Sequence, residues 1–224
     1  MTQSNCPVQI CVSGGSAEIS EQKSRFISSV HPVRTEEEAQ EFIMEIRRKY
    51  RDANHNCYAY ITGKDGSMKK SSDDGEPSRT AGKPILDILE RQSIRNICVV
   101  VTRYFGGILL GTGGLVRAYG KAASEGIHAS VTAERKKGFF VTWEQDYPFY
   151  GILLHLAETE GIRPEECTFG EKVKCSLLIP EDREEDFLKK ISEMTGGKAD
   201  PVGNRKIEYC MTEGKRVYFS FVEF

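Results

Sequence analysis

The sequence predicts an α+β protein built as two domains, residues 1–134 and 135–224. Three observations carry that prediction. The chain has 224 residues, enough for two small domains at roughly 100–200 residues each. A polar break, Glu134-Arg135-Lys136-Lys137-Gly138, interrupts the apolar patterning between Thr132 and Gly138. Beyond that break, strand and helix signals start again.

Lys23 to Val33 sets Phe26, Ser28 and Val30 on one side and Ile27 and Ser29 on the other, the period of a strand. Thr35 with Glu38 three residues on is a capping box. It opens a helix whose Ala39, Phe42, Ile43 and Ile46 fall at helical spacing, running to about Tyr50. Asn56 to Thr62 reads as a strand, and Lys64-Asp65-Gly66 as a hairpin turn into Ser67–Ser71. Ser72 to Gly82 is a polar loop. Pro84 starts a short helix carrying Ile85, Leu86, Ile88 and Leu89 to about Gln92. Asn96 to Thr102 is a nearly unbroken apolar strand, expected to be buried on both faces. A glycine-rich segment, Gly106–Gly114, then leads into a helix expected from Leu115 to about Ala129.

In the second domain Phe139–Glu144 reads as a strand and Pro148–Glu160 as a helix. Arg163–Phe169 and Glu171–Ile179 read as a strand pair, Pro180–Met194 as a helix and Lys206–Met211 as a strand. That βαββαβ order is the ferredoxin-like arrangement. A last apolar strand is expected over Val217–Phe224.

Hydrophobic residues make up 39%, and the net charge is only −2, which excludes a disordered chain. No stretch approaches the ~18 apolar residues of a membrane span. The first charged residue is Glu18, so the start lacks the basic segment of a secretory signal. Seven cysteines form an odd set without CxxC spacing. A disulfide framework or zinc ribbon is therefore not expected, and a cytoplasmic location is.

Charge is uneven. Residues 1–135 carry 18 Lys and Arg against 16 Asp and Glu, and residues 136–224 carry 13 against 17. From Arg91 to Ser124 there are five cations, Arg91, Arg95, Arg103, Arg117 and Lys121, and no carboxylate. That stretch predicts an anionic partner. Within it Gly106, Gly107, Gly111, Gly113 and Gly114 allow close backbone approach, and the helix they precede offers free N–H groups and a positive dipole end. Arg117 and Lys121 are four apart on that helix, where a phosphate would turn mild repulsion into attraction. Neither a Walker A nor a dinucleotide pattern is matched. The alternative is a tight structural turn followed by a solvated cationic face.

Two further clusters carry candidate chemistry. Asp73, Asp74 and Glu76 place three carboxylates within four residues, a candidate oxygen site for Mg²⁺. The competing reading is an Asx-type turn before the next helix, with Thr80 as its cap and Arg79 paired to the acids. His55 and Cys57 share a strand face, compatible with a nucleophile pair or part of a metal site. They are equally compatible with ordinary packing. His31, His128 and His155 have no partner spacing. The acidic run Glu181–Asp186 reads as the solvated first turn of a helix.

Several of these segments resemble the YigZ/Impact family. They are Ser71-Ser72-Asp73-Asp74-Gly75-Glu76-Pro77-Ser78, Thr80-Ala81-Gly82-Lys83-Pro84, Arg103-Tyr104-Phe105-Gly106-Gly107, Leu110-Gly111, and Gly113-Gly114-Leu115-Val116-Arg117-Ala118-Tyr119. With Lys23-Ser24-Arg25-Phe26 and His55-Asn56-Cys57-Tyr58-Ala59 the resemblance covers roughly residues 20–130. The second half is similar to the small domain of bacterial YigZ-type members, ferredoxin-like and akin to a C-terminal domain of elongation factor G. The resemblance implies a ribosomal protein S5 domain 2-like α/β fold for the first domain. Eukaryotic Impact relatives regulate translation through the amino-acid-starvation kinase pathway with an extra N-terminal domain. These 224 residues show no counterpart of it, so a prokaryotic-type member is expected. Arg79 departs from the family pattern, which has a small residue there, usually Gly.

Three functions follow as expectations. The first is a nucleic-acid- or ribosome-associated binding protein acting on translation. It would use Arg79, Arg103, Arg117, Lys121 and the glycines. The second is an enzyme or binding protein for a small phosphorylated ligand, with a metal held by the acidic loop. The third is a protein-interaction module working through the second domain. A non-enzymatic role is the leading expectation.

Overall fold

The computed structural model describes residues 7–63, 66–198 and 200–221. The chain divides into two units, Met1–Glu134 and Arg135–Phe224. The first carries, in order, β1 (Gln9–Ser13), β2 (Gly15–Glu21), β3 (Ser24–Pro32), α1 (Glu36–Lys49), β4 (His55–Thr62), β5 (Met68–Ser72), α2 (Gly82–Arg91), β6 (Ile94–Arg95), β7 (Ile97–Tyr104), α3 (Gly111–His128) and β8 (Val131–Glu134). Five strands form an antiparallel sheet in the order β2-β3-β7-β4-β5. A smaller sheet has the order β6-β1-β8, with β1 parallel to β6 and antiparallel to β8.

Period-2 alternation explains how the large sheet is covered on both faces. Cys57, Ala59 and Ile61 of β4 and Ile97, Val99 and Val101 of β7 share one core with Ile85 and Leu89 of α2 and Leu115, Ala118 and Tyr119 of α3. The intervening Tyr58, Tyr60, Cys98 and Val100 point the other way, onto Ala39, Ile43 and Ile46 of α1. Being central, β7 is buried almost end to end. Helix α1 starts at the expected cap, Thr35, with only half of the capping box formed. The Thr35 hydroxyl accepts the Glu38 N–H at 3.2 Å, while the Glu38 carboxylate accepts the Arg34 N–H at 2.6 Å. The expected hairpin runs into β5; Lys64 and Asp65 of its turn lie outside the described residues.

Three expectations needed correction. Thr80 does not cap α2; the N-cap is Ala81, and the Thr80 hydroxyl donates to the Pro77 carbonyl at 2.6 Å. Helix α3 starts at Gly111, not Leu115, so Gly111, Gly113 and Gly114 belong to its first turn. Burial of Leu115, Ala118, Tyr119 and Ala122 anchors the helix strongly enough to carry those glycines along. Strands β1, β2, β6 and β8 were not expected at all.

The second unit carries β9 (Lys136–Gln145), α4 (Tyr147–Thr159), β10 (Pro164–Phe169), β11 (Val173–Pro180), a 3-10 turn (Glu181–Arg183), α5 (Glu184–Met194), β12 (Gly203–Thr212) and β13 (Lys215–Phe221). Its antiparallel sheet has the order β10-β11-β9-β12-β13. Trp143, Leu153, Leu156, Leu177, Phe187 and Ile191 build the core between sheet and helices. The acidic run opens α5 through the 3-10 turn, with Glu184, Glu185 and Asp186 in the helix's first turn, where the dipole favours them. Among the described residues no helix is long and apolar enough to cross a membrane.

Candidate functional site

The acidic loop between β5 and α2 lies against His55, Asn56 and Cys57 at the start of β4, and its carboxylates help hold it there. Asp73 Oδ1 accepts the Ala81 and Gly82 N–H groups at 3.0 and 2.9 Å, and its Oδ2 accepts the Arg79 N–H at 2.7 Å. Asp73 thus serves the first turn of α2, which has no side-chain cap at Ala81. Burial pushes its carboxyl up, but these three N–H donors outweigh that and hold it below the ordinary aspartate value. Asp74 Oδ1 accepts from Arg47 of α1 at 2.6 Å and its Oδ2 from the Asn56 N–H at 2.6 Å.

Glu76 reaches furthest inward. Its side chain is only 4% exposed, and Oε1 accepts from Arg103 Nη1 at 2.6 Å and from the Tyr119 hydroxyl at 2.8 Å. A buried carboxylate requires such partners, because desolvation otherwise penalises the charge heavily. Arg103 also lies over the rings of Phe26 and Phe105, at 5.4 and 5.5 Å from their centroids. Its Nη2 donates to Ser24 Oγ at 3.4 Å, and Ser24 Oγ in turn accepts the Gly106 N–H at 3.2 Å. One network therefore links the acidic loop, β3, β7 and the start of the glycine segment.

His55 and Cys57 do share a face, and that face looks at the same loop. His55 Nδ1 lies 2.8 Å from the Asp74 carbonyl, and its Nε2 lies 3.9 Å from Glu76. The Cys57 thiol contacts the Asp73 carbonyl at 3.0 Å and the Tyr119 hydroxyl at 3.3 Å. Burial is the main reason its pKa is pushed far up, so a thiolate nucleophile is not favoured. The three carboxylates point to different partners rather than to one ion. Among the described residues no group of three or more His, Cys, Asp and Glu side chains is placed to hold a metal.

The residues expected to meet an anion divide into two sets. Arg103 is turned inward onto Glu76, with 7% of its side chain exposed, and is not a surface contact. Arg117 and Lys121 stand exposed on α3 with no ion pair among the described residues. Arg79 is exposed in a left-handed backbone conformation, φ 64°, which accounts for the small residue expected there.

The glycines differ in what they do. A Cβ at Gly106 would lie 2.1 Å from the Lys23 carbonyl carbon, so β3 leaves no room for one. Gly107 and Gly111 have φ values of 84° and 68°. Gly114 packs against Leu110, where a Cβ would come within 3.0 Å. Gly113 is unlike them. Its φ is ordinary, and a Cβ there would meet only Arg117 Nη1, at 3.6 Å. Neither packing nor backbone geometry calls for glycine at this helical position, where it costs about 0.5–1 kcal/mol relative to alanine.

The start of α3 thus has no side-chain cap and no acidic residue in its first turn, and Arg117 and Lys121 follow nearly two and nearly three turns along. Phe105, Ile108, Leu109 and Val116 are exposed around it, Leu109 by 85%. Tyr119, Ser24 and Arg47 were not singled out from sequence as site residues. Tyr119 was signalled only by its place in the family-like segment.

A model of the Impact N-terminal domain matches residues 22–127. The IMPACT family member YvyE of Bacillus subtilis (strain 168) is 41% identical over 186 residues, covering 83% of this chain and 86% of that protein. The IMPACT family member YigZ of Escherichia coli (strain K12) is 34% identical over 178 residues, covering 78% of this chain and 87% of that protein. Among solved structures, the crystal structure of a hypothetical protein superposes with a TM-score of 0.55 at 29% identity, over 87% of this chain and 95% of that one. The shared segments include the acidic loop, β7 and the glycine-rich start of α3, and the chain belongs to the IMPACT family.

Proposed function

We propose that this protein binds structured RNA or the ribosome and acts in the regulation of translation, with the start of α3 as its phosphate contact. We also propose an S5 domain 2-like fold for the first unit and a ferredoxin-like fold for the second. The observation that carries the functional reading is the surface of α3. It combines an uncapped N-terminus free of acidic side chains, the exposed cations Arg117 and Lys121, and a glycine at 113 that packing does not explain. Helix N-terminal N–H groups and the dipole favour a phosphate there, and a bare backbone lets it come close. Phe105, 45% exposed beside this start, supplies an aromatic face of the kind on which unpaired bases stack. Within the acidic loop Asp74 and Glu76 are paired with Arg47 and Arg103, which offsets their charge toward an anion.

Titration of a fluorescent structured RNA at several salt concentrations tests this. Each phosphate contact contributes about 0.9 to the slope of log affinity against log salt for a duplex. Arg117→Ala with Lys121→Ala should therefore weaken binding several-fold or more and lower that slope by about 2. Unchanged affinity and slope would remove α3 as the site.

A further inference from the structure

Strands β10 and β11 set two cysteines directly opposite each other. Cys167 and Cys175 are register partners in this antiparallel pair, with their sulfurs 2.9 Å apart. Opposed residues in such a pair have Cα atoms about 4.5–5.5 Å apart, inside the 4.4–6.8 Å range that a disulfide accepts. The bond therefore needs side-chain rotation rather than backbone movement.

The surroundings give the two thiols different roles. Strand β10 is the edge of its sheet, and Cys167 is half-exposed there. Cys175 is buried, 2% exposed, and burial pushes its thiol up to about 12. The Tyr150 hydroxyl on α4 lies against Cys167. The other cysteines among the described residues, Cys11, Cys57, Cys98 and Cys210, are all buried, and none has a second cysteine as its bonding partner.

We propose that Cys167 and Cys175 form a reversible dithiol–disulfide site that reacts with small-molecule disulfides. Cys167 loses its proton to solvent, and its thiolate attacks one sulfur of the small disulfide, expelling the other half as a thiolate. Cys175 then loses its proton and attacks the Cys167 sulfur of the mixed disulfide, releasing the second half. The two cysteine sulfurs are together oxidised by two electrons and the small disulfide is reduced to two thiols, which take up the two protons. The new bond ties the edge strand to β11 across the Phe169–Val173 turn. It uses none of the residues assigned to RNA.

Glutathione disulfide is the probe. The reduced full chain is incubated with an excess at mildly alkaline pH, remaining thiols are capped with iodoacetamide, and the tryptic peptides are mapped by mass. The expected product is a Cys167–Cys175 cross-link lighter by two hydrogen atoms, with the buried Cys11, Cys57, Cys98 and Cys210 still capped. Trp143, the sole tryptophan, is the register partner of Cys175 on its other side. Its emission should fall on oxidation and recover with dithiothreitol. Cys175→Ser should stop at a glutathione adduct on Cys167, and Cys167→Ser should leave Cys175 unreacted. The proposal is overturned if both cysteines stay capped in the oxidised wild type, or if the Cys167 adduct accumulates without closing. The wild-type peptide map decides this even if either serine variant fails to fold.

Discussion

Glu76 and Arg103, 27 residues apart in sequence, form a buried ion pair of 2.6 Å that fastens the acidic loop to the central strand of the large sheet. Removing one partner leaves the other charge buried and uncompensated, so Glu76→Gln and Arg103→Met should each cost roughly 3–5 kcal/mol. Urea denaturation of each variant measures this. The double variant should lose less than the sum of the two. Full additivity would mean that the pair contributes no coupling.

Arg79 occupies a left-handed conformation while its exposed side chain makes no hydrogen bond or ion pair among the described residues. That conformation costs a non-glycine residue about 1–2 kcal/mol, and glycine's greater unfolded entropy offsets about 0.5–1 kcal/mol of the relief. Arg79→Gly should raise stability by up to about 1.5 kcal/mol, and Arg79→Ala should not. Thermal and urea unfolding of the two variants separate backbone strain from loss of the side chain.

Asp73 contributes to acid stability. Its folded carboxyl lies below the usual value because three backbone N–H groups outweigh the effect of burial. Its contribution is therefore fully present above the unfolded aspartate pKa of about 4. It is lost as pH falls from there through the lower folded value. The wild type should lose stability across that acid window, and Asp73→Asn should be less stable at neutral pH with a flatter acid profile. Equal slopes in wild type and variant would assign the acid dependence to other groups.

Gly106 and Gly113 should respond oppositely to alanine. At Gly106 the new Cβ collides with the Lys23 backbone, so Gly106→Ala should destabilise by about 1–3 kcal/mol or more. At Gly113 there is room, so Gly113→Ala should stabilise by about 0.5–1 kcal/mol. It should also weaken RNA binding by moving phosphate away from the helix backbone. Gain of stability without loss of binding would detach Gly113 from the site.

The elements legible in the sequence were those whose signals are local. The capping box of Thr35 and Glu38 and the apolar run of β7 needed only neighbouring residues to be read. Strand β1 was missed because five residues make a weak pattern and its partners, β6 and β8, lie far along the chain. Strand β2 was missed because Ile19 is its only large apolar residue. The start of α3 was placed late because glycine argues against a helix locally, while the core contacts of Leu115 and Tyr119 argue for one.

The clusters around His55, Asp73 and Arg103 were each visible as separate motifs. Their convergence was not, since Glu76, Arg103 and Tyr119 meet only through the pairing of β4 with β7 and the packing of α3. The same pairing buried Arg103 and left Arg117 and Lys121 outside.

Co-sedimentation with ribosomes and with free structured RNA, at low and moderate salt, tests the central claim most directly. Wild type is run beside Arg117→Ala with Lys121→Ala, both confirmed as folded. The account predicts salt-sensitive association of the wild type that the double variant loses, while Arg79→Ala keeps it. Failure of the wild type to associate even at low salt, or undiminished association of the double variant, would contradict it.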